Sequence, residues 1–420
     1  MAIFLIVSGF SLLAPLGLQS LGQGVAPVLR RLAGEPAFLA TRYVRDSGTR
    51  TAISVGALIT AVALFGALVI MIHSFRQTVE LWVNQSITGD LFLHPKMGDL
   101  NQYRDPLPKD VVTALNNLTS PVDLEPSHRF VLNYGKYLYQ FIAMDFETFF
   151  RYGNFLFIKG ETSKIRPKLI QGRGVLVSEV FASRTGLSIG DRYRDRIESV
   201  TLDLPILGII RDYRADGGVV FYELSQFQKN FKNPKWTGVR FFFRKPPRNP
   251  DAALSELRRE IFQKCGDYIE IYNGNALRED ILKVFDETFA VTTVLLLIAL
   301  LVAALGITTT LTVLVLERSR QLNTLYAIGA GFQQIRSMIF WEAALMIVAG
   351  ELGGLVCGFF ISYLLVFVIN KESFGWTFHY GVDWGTLVMS LPLIFITALL
   401  SALPAVQTVF REPPATLLKE

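Results

Sequence analysis

Side chains that could perform chemistry are few in this 420-residue sequence, and their spacing matches no catalytic or metal-binding pattern. The four histidines stand singly, and the two cysteines, Cys265 and Cys357, have no neighbours at metal-ligand spacing. Asp212 and Asp216 in the run RDYRADGG resemble an acid pair, but Asp-Gly-Gly between two strands is more typical of a turn. The sequence also lacks the Gly-x4-Gly-Lys-Ser/Thr loop that holds nucleotide phosphates. We therefore predict no catalytic, cofactor-binding or metal-binding residue in this chain, and no enzymatic activity of its own.

A carboxylate inside an apolar run is the charged group whose position most suggests a function. Glu351 lies in a long uncharged stretch, among Gly350, Gly354 and Gly358, which form a GxxxGxxxG pattern. Small residues four apart allow two membrane helices to pack closely. An ionisable residue within a membrane span is by default a functional candidate, although a lone carboxylate makes a poor proton relay. We expect the glycines to serve helix packing, and Glu351 to have either a functional or a hydrogen-bonded packing role.

Long apolar segments must position these residues, because 51% of the chain is hydrophobic and only 18% is charged. Five segments reach the roughly 20 residues that a bilayer requires: residues 1–29, 51–75, 289–316, 337–370 and 384–410. Pro15 and Pro27 interrupt the first segment, which is either one span or a kinked, re-entrant piece. The predicted fold class is a membrane α-helical bundle of four to five transmembrane helices with a large extracytoplasmic α+β domain.

Arginines in the short links between these segments predict which side each link faces. The links at residues 30–50 and 317–336 are rich in arginine, whereas the link at residues 371–383 has no excess of positive charge. Short arginine-rich loops face the cytoplasm. We therefore expect residues 76–288 and 371–383 outside and the tail, 411–420, inside. Since the net charge of +5 partitions by membrane side, it does not indicate nucleic-acid binding.

Both arginine-rich links are predicted to be amphipathic helices. The first has an apolar side formed by Leu32, Phe38, Leu39, Tyr43 and Val44. It either lies in the headgroup layer or contacts a partner protein. The second link carries an apolar stripe on an otherwise polar segment, formed by Leu322, Leu325, Tyr326 and Ile328.

The central domain shows both strand and helix patterns. Alternating runs such as 130–141, 200–210 and 239–243 predict strands. Helices are predicted at 178–185, before Gly186, and at 251–264, after Asn249-Pro250. Residues 275–288 continue without proline or glycine into the 289–316 segment, which predicts one continuous helix suited to transmitting movement.

The run LERSRQLNTLYAIGAG at residues 316–331, followed by FQQIRSMIFWEAALMIVAGELGGLVCG, resembles the signature of FtsX/MacB-type ABC transporter permeases. In that family a span ends in Glu-Arg, then come a short amphipathic cytoplasmic helix, an Ala-x-Gly-Ala turn, and a helix with an early Glu and a glycine-rich face. The matching residues are Glu317, Arg318, Arg320, Leu325, Ala327, Gly329, Ala330, Ile335, Glu342 and Gly354. Two further elements are similar to family elements: the ending, with Pro404, Ala405, Pro414 and Leu418, and the run around Gly190-Asp191.

The predicted coupling helix departs from the family pattern at its centre. Family members usually carry an acidic residue followed by Ile-Gly where this chain has Gln321, Leu322 and Asn323, and an arginine where it has Tyr326. These departures leave the fold assignment intact and change the charges that the family pattern would offer to an ATPase.

The resemblance implies a permease subunit of MacB/LolE-like type in the bacterial inner membrane, with its central domain in the periplasm. A separate ABC ATPase subunit would bind ATP and Mg²⁺ and would drive movement of that domain. The other implied partners are a second permease half or a homodimer partner, a periplasmic substrate or adaptor protein, and membrane lipid. The residues implied in ATPase coupling are Glu317, Arg318, Arg320, Leu322, Leu325, Tyr326 and Gly329.

Two other functions are also compatible with a membrane protein of this kind. An FtsX-like signalling scaffold would regulate an extracellular partner without moving a substrate. A proton-driven transporter would need paired intramembrane charges or inverted repeats, and neither is evident. With five spans Met1 would start outside without a basic n-region, so the chain is expected to correspond to the second half of a long, duplicated or split permease.

Overall fold

The structure is a computed structural model that describes residues 2–46, 48–98, 100–101, 103, 105–197, 200–215, 217–232, 235–317 and 319–401. It divides into two compact units. The sheet unit consists of Arg76–Asp286 and Asn370–Phe378, and the helical unit contains the remaining described residues. The domain bounds predicted from the sequence stay predictions.

The helices of the described chain are α1 (Ala2–Leu12), α2 (Ala14–Asp46), α3 (Gly48–Ser86), α4 (Lys109–Asn116), α5 (Phe146–Tyr152), α6 (Thr162–Ile170), α7 (Glu179–Thr185), α8 (Leu224–Phe231), α9 (Pro250–Cys265), α10 (Gly274–Glu317), α11 (Ser319–Ala327), α12 (Phe332–Leu364), α13 (Asn370–Phe374) and α14 (Trp384–Ser401). A π-helical turn, Leu365–Ile369, follows α12. The strands are β1 (Leu91–Pro95), β2 (Val122–Tyr134), β3 (Tyr137–Met144), β4 (Phe157–Lys159), β5 (Val175–Ser178), β6 (Arg192–Ile197), β7 (Val200–Ile210), β8 (Val219–Glu223), β9 (Gly238–Phe243) and β10 (Ile269–Asn273).

Membrane-spanning length is confirmed for part of the predicted helical bundle. Among the described residues, Val55–Gln85 and Phe332–Ser373 are long and apolar enough to cross a bilayer. The pair α1 and α2, bent by 41°, would add a third span if it acts as one. Trp384–Ile396 is apolar but shorter. The predicted 289–316 segment lies within α10, a single helix of 44 residues, which is about 66 Å long at 1.5 Å per residue. Four to five spans therefore stay a prediction.

Aliphatic side chains of α2, α3 and α12 form the core of the helical unit. Within α2 the helix is interrupted at Gly34, whose φ of 78° is left-handed. Beyond this break Ala37, Ala40 and Val44 are buried, whereas Leu32, which was predicted to lie on the apolar side, is 80% exposed. The guanidinium groups of Arg30 and Arg42 each lie 5.1 Å from the Phe38 ring centroid.

The sheet unit is built on a mixed sheet with the strand order β10-β1-β9-β2-β3-β8-β5-β7-β4, and β6 pairs with β7. The pairs β3–β8 and β5–β7 are parallel. Alternate residues of β3, β5 and β8 point to opposite faces, as the period of a strand requires. One face packs against α7 and α8, and the other against α5 and α6. A separate core joins β1, β9 and β10 to α4 and α9.

Both helices predicted in the central domain are confirmed. Ser178 caps α7 by accepting a hydrogen bond from Phe181 N, and Gly186 ends the helix with a φ of 75°. Asn249 caps α9, which begins with Pro250. In the run RDYRADGG, Asp212 is fully buried and pairs with Arg214 at 2.9 Å; Asp216 lies outside the described residues. Asp212 therefore serves the structure of a loop.

The buried carboxyl group of Glu223, at the end of β8, should make the stability of the sheet unit depend on pH. Burial raises its pKa from 4.5 to about 7, although hydrogen bonds from Ser225 and from Phe146 N lower it. Between pH 4.5 and 7 the folded state keeps a proton that the unfolded state has lost. The free energy of unfolding should therefore fall as the pH rises through this window, by about 3 kcal/mol.

Denaturant titrations of the full-length protein in detergent, at several pH values across this window, would measure the effect. Glu223→Gln should remove most of this slope because its amide does not titrate. Glu256→Gln, at an exposed position of α9, is the matched control and should retain the slope. An unchanged slope in Glu223→Gln would show that Glu223 is not its source.

Candidate functional site

The predicted coupling segment forms a short helix, α11, followed by an ordered turn into α12. Leu322 is buried in the core of the helical unit, and Leu325 is half-buried. By contrast, Tyr326 is 46% exposed, Ile328 80% and Phe332 46%. The apolar stripe is therefore divided: its inner part holds α11 in place, and its outer part forms an exposed apolar edge. We call Tyr326, Ile328 and Phe332 the apolar edge.

Backbone hydrogen bonds fix the turn that presents this edge. Ala330 N donates to Leu325 O and Gly329 N donates to Tyr326 O, both at 3.0 Å. This pair of bonds is the Schellman arrangement, which requires a left-handed residue at the position of Gly329. Gly329 has a φ of 111°, a conformation that a side chain would strain. Gly331 N donates to Gln334 Oε1 at 3.0 Å and so begins α12.

The charged residues predicted for ATPase coupling are described only in part. Glu317 is the last residue of α10 and Arg320 lies in α11, but their side chains lie outside the described set. Arg318 lies outside the described residues, as do Pro404, Ala405, Pro414 and Leu418 of the tail. The site residues named from the sequence stay predictions, and the geometry available for them is that of the turn and its apolar edge.

The glycines of α12 lie where another helix approaches closely. A Cβ atom at Gly354 would lie 2.6 Å from Val62 Cβ and 3.1 Å from the carbonyl oxygen of Ile59. A Cβ atom at Gly358 would lie 3.0 Å from the carbonyl oxygen of Ala63. Gly350 meets Leu58 in the same way. The structure thus places all three glycines against α3.

Glu351 is buried on α12, with 8% of its surface exposed. Its Oε1 atom has no hydrogen-bond partner among the described residues. A buried carboxyl oxygen without a partner is costly to retain. In the described part of the chain, no group of three or more His, Cys, Asp or Glu side chains is placed to hold a metal ion, and the role of Glu351 stays a prediction.

Part of the link between α12 and α14, Asn370–Phe378, belongs to the sheet unit, and no sequence pattern predicted this. Thr377 donates two hydrogen bonds to Glu179, from its backbone N at 3.0 Å and from Oγ1 at 2.9 Å. The Trp376 ring lies 4.1 Å from the Tyr213 ring, between centroids. Asn370 Nδ2 donates to Trp376 O at 2.7 Å. Residues 370–378 therefore form a clamp on the first turn of α7. The aromatic run FGWTFHY, unusual in so short a link, is the sequence feature that could have indicated this contact.

Burial raises the pKa of Glu179, while the hydrogen bonds from Thr377 lower it. Replacing Glu179 by alanine removes the acceptor of both bonds. We expect the clamp to lose about 1.5–3 kcal/mol, since bonds to a carboxylate are the stronger kind. Hydrogen exchange of residues 375–378 in the full-length protein should accelerate by about tenfold or more. Thr377→Val, which removes only the Oγ1 bond, should give a smaller acceleration.

Glu161→Ala is the control, because Glu161 is an exposed glutamate of the same unit. It should leave the exchange of residues 375–378 unchanged. Equal protection of these residues in Glu179→Ala and in the unmodified protein would show that Glu179 does not hold the clamp.

Residues 293–414 match the family model described as FtsX-like permease C-terminal. The match includes the end of α10, then α11, the turn with its apolar edge, α12 and α14. An uncharacterized ABC transporter permease protein of Mycobacterium tuberculosis is 27% identical over 401 residues, which are 94% of this chain and 46% of the relative. The chain thus spans about half the length of this relative.

Two solved structures are similar to part of this chain. The periplasmic region of MacB from Actinobacillus actinomycetemcomitans is 12% identical with a TM-score of 0.31, over 46% of this chain and 91% of that one. The extracellular domain of the noncanonic ABC-type transporter YknZ from Gram-positive bacteria is 11% identical with a TM-score of 0.30, over 44% and 99%.

The family model covers the signature run in which the sequence resembled FtsX/MacB-type permeases, and that resemblance is confirmed. Apolar helices of spanning length accompany it. Residues 293–414 of this membrane protein are therefore similar to the C-terminal part of FtsX-like permeases.

Proposed function

We propose that the chain is the permease subunit, or one half of the permease, of an ABC transporter that couples ATP hydrolysis on a separate subunit to movement of the sheet unit outside the membrane. The observation that carries this proposal is the apolar edge on the ordered turn between α11 and α12. An exposed group of Tyr326, Ile328 and Phe332 on a fixed turn suits burial by a partner protein better than exposure to water. Its position within the matched family segment supports an ATPase as that partner.

The remaining parts of the proposal rest on the charge pattern and on chain connectivity. Arginine-rich links favour a cytoplasmic position for α11 and a periplasmic position for the sheet unit, in a bacterial inner membrane with four to five spans. The clamp of residues 370–378 on α7 supports the idea of transmission, because the link between α12 and α14 belongs to the unit that would move. ATP and Mg²⁺ would then be held by the partner.

Co-purification with a nucleotide-binding subunit, followed by an ATPase assay in lipid nanodiscs, tests the proposal. We expect a stable complex whose ATPase rate differs from that of the isolated subunit. Cysteine pairs introduced in the sheet unit should cross-link to different extents with and without nucleotide. A permease that binds no ATPase, or cross-links that ignore nucleotide, would contradict the proposal; a nucleotide response without any passage of substrate would favour the signalling scaffold instead.

A further inference from the structure

A cavity of about 260 Å³ lies within the sheet unit, beside β1, β2 and β9. Its wall combines aromatic rings with two arginines and is formed in part by Phe92, His94, Tyr103, Arg129, Arg240 and Tyr272. The combination of apolar walls with a few polar groups is the usual composition of a small-molecule site.

The two arginines of the wall differ in their partners. Arg240 forms a buried ion pair with Glu125, whose carboxyl group is fully buried, so its charge is balanced inside the protein. Arg129 forms no ion pair with a described carboxylate, and its buried Nε has no hydrogen-bond partner among the described residues. Its backbone N donates a hydrogen bond of 2.8 Å to Thr237 Oγ1. An unpartnered buried guanidinium N–H is costly to retain.

Aromatic rings line the cavity beside Arg129. The guanidinium carbon of Arg129 lies 4.9 Å from the Tyr103 ring centroid. The His94 ring stacks on Tyr272, with centroids 5.0 Å apart, and meets Tyr103 edge-on at 6.3 Å. Rings arranged in this way favour a flat apolar group placed next to the charge. A planar anion would therefore satisfy both features of the wall.

We propose that this cavity binds a small organic anion, whose carboxylate or phosphate group pairs with Arg129 and whose flat part lies against Tyr103 and Tyr272. A guanidinium group offers two parallel N–H donors to such an anion. The site is distinct from the apolar edge and does not depend on the ATPase.

Calorimetric titration of the full-length protein in detergent tests this site. The probes are benzoate and phenyl phosphate, with benzyl alcohol as the uncharged ring and inorganic phosphate as the anion without a ring. We expect both aromatic anions to bind about tenfold or more tightly than benzyl alcohol and than inorganic phosphate. The tighter of the two aromatic anions distinguishes a carboxylate from a phosphate ligand.

Three variants assign the binding to the cavity. Arg129→Gln should weaken benzoate and phenyl phosphate by about tenfold or more, and Arg129→Lys should weaken them less, because the charge remains without the two-pronged geometry. Tyr272→Leu should remove the preference for aromatic anions over inorganic phosphate. Arg184→Gln is the matched control, since Arg184 also lies over a tyrosine ring, that of Tyr137 at 5.6 Å, and it should bind as the unmodified protein does.

Thermal unfolding of each variant would establish that it is folded. If Arg129→Gln does not fold, Arg129→Lys tests the role of Arg129 instead. The proposal is wrong if neither aromatic anion binds at millimolar concentration. It is also wrong if folded Arg129 variants bind these probes as tightly as Arg184→Gln does.

Discussion

Replacing Gly354 by leucine should destabilise the helical unit by about 3 kcal/mol, the upper end of what overpacking usually costs. The Cβ atom alone would lie 2.6 Å from Val62 Cβ and 3.1 Å from the backbone oxygen of Ile59. Neither neighbour is the end of a flexible side chain, so α3 and α12 would have to separate. Since α3 and α12 share the core of the helical unit, separation would expose its aliphatic side chains. Thermal unfolding in detergent, followed by helical circular dichroism, would measure the loss.

Alanine substitutions give the sharper comparison because they add one methyl group. Glycine-to-alanine changes inside helices normally stabilise by up to about 1 kcal/mol. Gly24→Ala in α2, where a Cβ atom meets nothing within 4 Å, should raise the unfolding temperature or leave it unchanged. Gly354→Ala and Gly358→Ala should lower it. If Gly354→Ala stabilises the protein as Gly24→Ala does, the close contact between α3 and α12 does not exist.

This contact illustrates what the sequence can predict about membrane helices. The spacing of Gly350, Gly354 and Gly358 identifies a face that permits close approach. It does not identify the partner helix, because Leu58, Val62 and Ala63 of α3 form an ordinary apolar surface in the sequence. Only the tertiary structure shows which apolar surface fits the glycine face.

In the sheet unit, too, the sequence predicts local structure but not which distant segments contact each other. The alternating run 130–141 was predicted as one strand, but the structure divides it into β2 and β3 at a tight turn with Gly135 at φ 60°. Because β2 and β3 pair in register, the alternation of apolar and polar residues continues through the turn. The two-residue period therefore does not reveal where the turn lies. Caps at Ser178 and Asn249 were predictable because their bonds are local. The clamp between Thr377 and Glu179 joins residues 198 positions apart, and no local pattern encodes it.

The sequence predicts that the coupling segment is an amphipathic helix, but it does not predict which of its apolar residues are buried and which are exposed. Leu322, Leu325, Tyr326 and Ile328 form one stripe in the sequence. The structure buries Leu322 in the core of the helical unit and exposes Tyr326 and Ile328. A stripe reports that a helix has an apolar side, whereas packing decides which part of that side remains for a partner.

That division predicts separate effects for the two parts of the stripe. Leu322→Ala should cost about 2–5 kcal/mol of stability, as truncation of a buried leucine does. Any loss of ATPase association in this variant would then accompany unfolding. Tyr326 and Ile328 are exposed, so their replacement should change the free energy of unfolding by no more than about 0.5 kcal/mol. Thermal unfolding and pull-down assays on the same preparations would separate the two effects.

Glutamate at both Tyr326 and Ile328 should weaken association with the proposed ATPase subunit by about 100-fold or more. Burial of Tyr326 and Ile328 against a partner would gain apolar contact, and the double variant would instead bury two charges without partners. Alanine at both positions should weaken association less, because it removes contact without adding charge. Gln333→Glu is the matched control, since it adds a negative charge on an exposed residue of the adjacent first turn of α12 and leaves the apolar edge intact. Association as tight in the double glutamate variant as in Gln333→Glu would exclude the apolar edge as the ATPase contact and leave the segment as a helix that serves only its own unit.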